Sequence, residues 1–214
     1  MTDAPKIIQN SSGVWQLEGE QLWDTTILPV CLEHIKEGDT VIDAGAWIGG
    51  HTMAYAEKVG AKGKVIAFEP NHAAFECLSR NIPRFGNAYC YEYALGDKFN
   101  VTLLSINKGW YDSGFIGEGG KISTEVLMDT LDSFNIAPSF IKIDVEGCEL
   151  KVLKGAAKTI EKSRPIMVIE VNHPALKRQG NTATAVFDFL LTHDYTYAPI
   201  DNYMADVYNI LCTP

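Results

Sequence analysis

The chain has 214 residues, 46% of them hydrophobic and 21% charged, which suits one well-buried domain and is short for two. Its 27 acidic and 18 basic residues give a formal charge of −9, without the basic excess of a nucleic-acid binder. No apolar run approaches membrane-spanning length and the opening MTDAPKIIQN does not read as a secretory leader, so a cytoplasmic chain with neither nucleic-acid nor membrane partners is expected.

In chain order, the first ~20 residues carry the weakest pattern and are expected to form an arm or short strands. Residues 1–24 are taken as this arm and 25–214 as the domain. Leu32 and Ile35 mark a short helix over 29–37, with Gly38 as its expected C-cap. TVIDAGA then reads as a buried strand, HTMAYAEKVG as a helix ending at Gly60, and KVIAFEP as a second apolar strand ending in an acid. Asn71 caps a helix with Phe75, Leu78 and Ile82 on one face. AYCYEYALGD is a third strand. The glycine-rich stretch from Asn100 to Leu131 suggests a hairpin or long loop. SFIKIDVEG is a strand ending in acids, and Leu150, Leu153, Ala157 and Ile160 line a helix. PIMVIEVN, ATAVFDFLLTHD, YTYAPI and DVYNILC complete the pattern as strand, helix and two closing strands. Repeated alternation of strand and helix predicts an α/β fold, a doubly wound and mostly parallel sheet with helices on both faces. The five cysteines are widely spaced and lack a C-x-x-C pair, so reduced, mostly buried thiols are expected.

In such sheets ligands bind beyond the carboxyl ends of the strands. The first strand ends in Asp43, Gly45, Ala46 and Gly49, the second in Glu69, the fourth in Asp144 and Glu146, and the fifth in Glu170, Asn172 and His173. The glycine turn lets a ligand approach the backbone, and an acid at the second strand end can accept from two ribose hydroxyls. Together they describe a pocket for an adenosine-type cofactor. The turn G-A-W-I-G-G lacks the second glycine of a dinucleotide fingerprint, and no Walker lysine is present. Asp43 would repel a phosphate and suits a cationic cofactor such as S-adenosylmethionine.

The segments VIDAGAWIGGHT, VIAFEPNHAAFECLSRNI, YALGD, DTLDSF, IKIDVEGCELKVLKGA and RPIMVIEVN, in this order, resemble the FkbM family of class I S-adenosylmethionine-dependent methyltransferases. The resemblance covers roughly residues 25–175. It implies the Rossmann-like sheet of that class and O-methylation of a hydroxyl on a sugar or sugar-bearing metabolite. It further implies that Asp43, Gly45, Ala46, Trp47 and Gly49 form the cofactor turn, that Glu69 holds the ribose, and that Ala94, Leu95 and Gly96 lie beside the adenine. Asp144 would lie near the methionine part. Trp47 stands where a small polar residue is common, which suggests stacking or gating, and Cys148 stands where alanine is common, which suggests packing.

Asp144, Glu146 and His173 are the candidate catalytic residues, as positioning groups or proton acceptors. Glu146 is read as facing the same side as Asp144, or else as capping the next helix. His51 and His72 are weaker candidates for a base. No metal is expected, although Asp144, Glu170 and Asn172 offer an oxygen-rich alternative for Mg²⁺. The aromatic segment 107–115 is a candidate substrate contact or a packed hairpin. An NAD-dependent oxidoreductase and an inactive cofactor-binding module are the rival readings.

Overall fold

The computed structural model describes residues 6–18, 27–107, 110–120, 122–201 and 205–214. The chain enters through an antiparallel hairpin, β1 (Ile7–Gln9) with β2 (Trp15–Leu17), and a short helix, α1 (Leu28–His34). Strand and helix then alternate: β3 (Thr40–Ala44), α2 (Gly50–Val59), β4 (Lys64–Phe68), α3 (His72–Asn81) and β5 (Ala88–Tyr91). Four strands follow, β6 (Ala94–Leu95), β7 (Asn100–Asn107), β8 (Trp110–Ile116) and β9 (Ile122–Asp129). The alternation resumes with β10 (Phe140–Ile143), α4 (Glu149–Gly155), α5 (Ala157–Ser163) and β11 (Ile166–Asn172). It closes with α6 (His173–Arg178), α7 (Ala183–Thr192), β12 (Thr196–Pro199) and β13 (Val207–Thr213).

The main sheet has the strand order β12-β13-β11-β10-β3-β4-β5, and β13 alone runs antiparallel to its neighbours. Central strands covered on both faces need apolar side chains on both sides, and Val41, Ile42, Ile141, Ile143, Val168 and Ile169 are all buried. One face packs Ile42, Ile141, Ile143 and Ile169 with Leu150, Leu153, Val186 and Leu190. The other packs Val41, Phe140 and Val168 with Cys31, Ile35, Tyr55 and Val59. The expected doubly wound α/β architecture is thus present. No helix among the described residues is long and apolar enough to cross a membrane.

Three local expectations change. The first helix stops at His34, where Ile35 is already extended, and Gly38 instead turns the chain so that its N–H donates to Val59 O (2.8 Å). The third strand divides: β5 ends the main sheet, while β6 joins a second sheet ordered β6-β9-β7-β8. The glycine-rich stretch supplies the three antiparallel strands of that second sheet. The helix expected from Leu150 onward breaks in two at Gly155. A Cβ there would lie 1.8 Å from Gly96 O, so α4 ends where its backbone meets that of the residue after β6. Asp132 restarts the helix as α5, accepting from the N–H groups of Lys158 (3.1 Å) and Thr159 (2.8 Å).

The hairpin sits on α3. The Asn81 amide donates to Trp15 O (2.9 Å) and Ile48 O (2.8 Å), and its carbonyl accepts from Trp15 N (2.8 Å). Leu17 is buried with Ile48, Ala74 and Cys77, and Trp15 and Trp47 pack against them. All five cysteines are free thiols, four of them buried.

Candidate active site

The glycine turn leaves β3 at the carboxyl edge of the main sheet. Its first residue after the strand, Gly45, has φ +81°, and a Cβ there would fall 1.7 Å from the Asp144 carbonyl oxygen. Glycine is required by both the backbone angle and this contact. The N–H groups of Gly45 and Ala46 donate to Phe68 O at 3.0 and 3.1 Å, which ties the turn to the end of β4. Gly49, at φ +92°, opens α2. Trp47 also has a left-handed backbone, φ +52°, unusual for a bulky residue. Its packing against the hairpin cluster explains why an indole is accommodated there.

Asp43 is fully buried. Thr52 Oγ1 donates to its Oδ2 (2.6 Å), while Oδ1 is buried with no hydrogen-bond partner. Glu69 is 6% exposed and accepts at both oxygens, from Trp47 N at Oε2 (2.9 Å) and from Asn71 N at Oε1 (2.8 Å). Burial pushes its carboxyl up to about 7, and the two backbone N–H bonds pull the other way. Glu69 therefore clamps the first two strand-end loops together. Each oxygen keeps acceptor capacity for a further donor.

Ala94 and Leu95 are buried, and Gly96 N donates to Asp129 O (2.9 Å). Leu95 shares a cluster with Ala44 and Phe68, and Ala94 packs with Cys148 and Val145. This segment thus packs beside the ends of β3 and β4 from the side of the second sheet. Cys148 acts as a packing residue, its thiol raised by burial to about 12.

At the end of β10, Asp144 Oδ2 accepts from Lys142 Nζ (2.9 Å). Lys142 is 4% exposed, and the sequence pattern did not mark it. Burial opposes its charge, but the Asp144 and Asp43 carboxylates outweigh that and hold the ammonium above the usual lysine range. After Asp144 the chain turns through two left-handed residues, Glu146 (φ +54°) and Gly147 (φ +101°), so the strand does not continue and cannot align Glu146 with Asp144. The carboxylate that braces this turn is Glu149, whose Oε1 accepts from Gly147 N (3.0 Å) and Val145 N (3.3 Å). Burial pushes Glu149 up to about 7. Arg178 donates to Glu146 O (3.3 Å) and lies 4.2 Å from the Phe115 ring centroid.

Glu170 on β11 stands among these acids. Burial, then the nearby Asp144, Glu146 and Glu149 charges, push it up to about 10, and its Oε2 is buried without a partner. Asn172 is occupied as a helix cap, accepting from Ala175 N (3.1 Å). His173 follows it on an exposed surface, with Nε2 3.4 Å from the Tyr208 hydroxyl. His72 is likewise exposed and pairs with Glu92 at 2.8 Å. Among the described residues, no group of three or more His, Cys, Asp or Glu is arranged to hold a metal ion. The aromatic segment 107–115 falls largely in β8, and Lys108 and Gly109 lie outside the described residues.

The rim thus collects acceptors with capacity to spare: Asp43 Oδ1, which lacks a partner, and the remaining lone pairs of Glu69. That acceptor set fits a ligand carrying an ammonium, a sulfonium and ribose hydroxyls, and it does not fit a phosphate.

A family model described as Methyltransferase FkbM domain matches residues 43–197, most of the chain. The hexuronic acid methyltransferase AglP of Haloferax volcanii is 29% identical over 178 residues, covering 77% of this chain and 69% of its own length. Among solved structures, methyltransferase FkbM from Methylobacillus flagellatus KT aligns with a TM-score of 0.59 at 18% identity. That alignment covers 86% of this chain, which spans only 50% of the crystallised protein. Aeropyrum pernix fibrillarin, solved with S-adenosyl-L-methionine, aligns with a TM-score of 0.55 at 10% identity, over 97% of this chain and 93% of its own. These likenesses identify the α/β fold as that of the class I methyltransferases.

Proposed function

The chain belongs to the FkbM methyltransferase family, and on that premise we propose that it uses S-adenosylmethionine to methylate a hydroxyl of a sugar or sugar-bearing metabolite. The observation that carries the cofactor is the buried, partnerless Asp43 Oδ1 beneath a glycine turn that Glu69 clamps. The turn residues Asp43, Gly45, Ala46, Trp47 and Gly49 would hold it, with Glu69 at the ribose, Ala94 to Gly96 beside the adenine and Asp144 at the amino-acid end. When bound, the cofactor supplies an electrophilic methyl group on a sulfonium. The hexuronic acid methyltransferase of Haloferax volcanii supports a sugar acceptor. The free thiols suit a reducing compartment such as the cytoplasm.

Catalysis in this reading rests mainly on holding the acceptor oxygen in line with the methyl group. A hydroxyl must also lose a proton. Glu170 is held protonated at neutral pH, so it is no base in its resting state. The base is sought among Asp144, Glu146 and His173. His173 needs an acceptor that reaches the exposed edge at Tyr208, whereas Asp144 already stands at the rim.

Calorimetry on the purified protein is expected to give binding of S-adenosylhomocysteine and none of NAD. A radiolabelled methyl donor is then expected to label a glycan fraction of cell extract. NAD binding in place of S-adenosylhomocysteine would favour the oxidoreductase reading. S-adenosylhomocysteine binding without any labelled product would favour the inactive module.

A further inference from the structure

Lys142 is the one charged residue of β10, between Ile141 and Ile143 in a strand with every side chain buried. Its register partner on β3 is Asp43 and its partner on β11 is Val168. Side chains in register on adjacent strands share a face, so Lys142 and Asp43 stand side by side above the apolar layer of Val41, Phe140 and Val168. Two residues on, Asp144 continues the same face to the rim. An ammonium in such a layer is costly unless it is paired. The pairing here is uneven. Nζ donates to Asp144, whose side chain is one-third exposed, while the deeper Asp43 keeps Oδ1 without a partner. The lysine thus fixes the acid at the rim and leaves the acceptor beneath the turn open. Without it, Asp43 and Asp144 would share one face of the sheet with no cation beside them.

We propose that Lys142 is a positioning residue for the amino-acid end of the methyl donor, acting through the Asp144 carboxylate that it orients and charge-balances. The inference rests on the donor reading above and assigns a task to a residue that the reading leaves idle. Its consequence is selective: the adenosine end, served by Glu69 and the segment Ala94 to Gly96, does not pass through Lys142.

The test compares two ligands. S-adenosylhomocysteine carries the amino-acid end, and 5′-methylthioadenosine has the same adenosine without it. Lys142→Met is expected to weaken S-adenosylhomocysteine about tenfold or more, the scale of one lost charge-assisted contact, while 5′-methylthioadenosine stays within about threefold. Lys142→Arg, which keeps the charge, is expected to recover part of the loss. Asp144→Asn is expected to cost as much as Lys142→Met, and the double variant no more than either, because both act on one contact. Equal losses for both ligands, unchanged S-adenosylhomocysteine affinity, or additive losses in the double variant would overturn the proposal. Should Lys142→Met fail to fold, the same two-ligand comparison is made on Lys142→Arg and Asp144→Asn, where a loss confined to S-adenosylhomocysteine is still required. A parent protein that binds no S-adenosylhomocysteine would sink the donor reading itself, an outcome distinct from any of these.

Discussion

Replacing Glu69 by alanine is expected to abolish measurable S-adenosylhomocysteine binding and to lower the melting temperature by roughly 10 °C. The first effect follows from losing the acid offered to the ribose. The second follows from the two bonds the carboxylate already makes. Trp47 N and Asn71 N both donate to it in a nearly closed environment, and both bonds are lost with the side chain. Bonds to a charged group contribute about 1.5–3 kcal/mol each, and in a chain of this size 1 kcal/mol moves the midpoint by about 2–4 °C. Trp47 is held in a left-handed conformation, so releasing its N–H also lets the turn relax away from the ligand geometry. Glu69→Gln keeps one carbonyl acceptor and sets an amide donor against the other N–H, and an intermediate melting temperature is expected. Thermal melts and calorimetry on the same samples separate the roles. Affinity lost at an unchanged midpoint would mean that the acid serves only the ligand, and unchanged affinity would exclude it from the ribose altogether.

The protein is also expected to be most stable at mildly acidic pH and to lose stability steadily between pH 5 and 9. Three buried carboxyls set the sign. Each starts near 4.5 in the unfolded chain; folding raises Glu69 and Glu149 to about 7 and Glu170 to about 10, burial being the leading cause in all three. Between those limits the folded chain binds more protons than the unfolded one, so stability falls as pH rises. Each group contributes a slope of about 1.4 kcal/mol per pH unit while it stays protonated only in the fold. Glu69 and Glu149 act up to about pH 7, and Glu170 alone continues beyond. Lys142 is raised as well, but its stabilisation is fully present below 10.5 and leaves this window untouched. Melting temperatures at successive pH values check the prediction. Glu170→Gln is expected to flatten the slope above pH 7 and to leave the lower part in place. A flat profile for the parent would show that these acids are not held protonated.

What the sequence made legible follows from locality. Strand ends that carry an acid are visible because an apolar run stops there, which singles out Asp43, Glu69 and Asp144, and the alternation of strand and helix marks the doubly wound class. Lys142 is not legible in the sequence because a single charge inside FIKI carries no pattern when its partners, Asp43 and Asp144, lie on another strand or beyond the strand end. The left-handed angle of Glu146 leaves no mark in the sequence, and the need for glycine after it depends on a distant element: a Cβ on Gly147 would lie 2.3 Å from Ala175 O. The brace of that turn, Glu149, is the first residue of α4, where an acid is ordinary and carries no signal of its own. The break at Gly155 likewise depends on Gly96, far away in sequence, and β5 and β6 look continuous until the sheet edge between them is known.

The docked hairpin gives the molecule a mechanical connection between its entrance and its chemistry. Asn81 grips Trp15 with both ends of its amide and Ile48 with the nitrogen, so the strand at residues 15–17 and the turn at 45–49 hang from one side chain. A force, a fused domain or a bound partner that tugs on the entering chain would reach the ligand turn within two hydrogen bonds. Trimming the chain back to residue 25 would strip the cover from Ile48, Ala74 and Cys77 and leave Trp47 leaning on water. The hairpin therefore behaves as a tension strap on the loop it touches, and the sensitivity of that loop is set in part from outside the sheet that bears it.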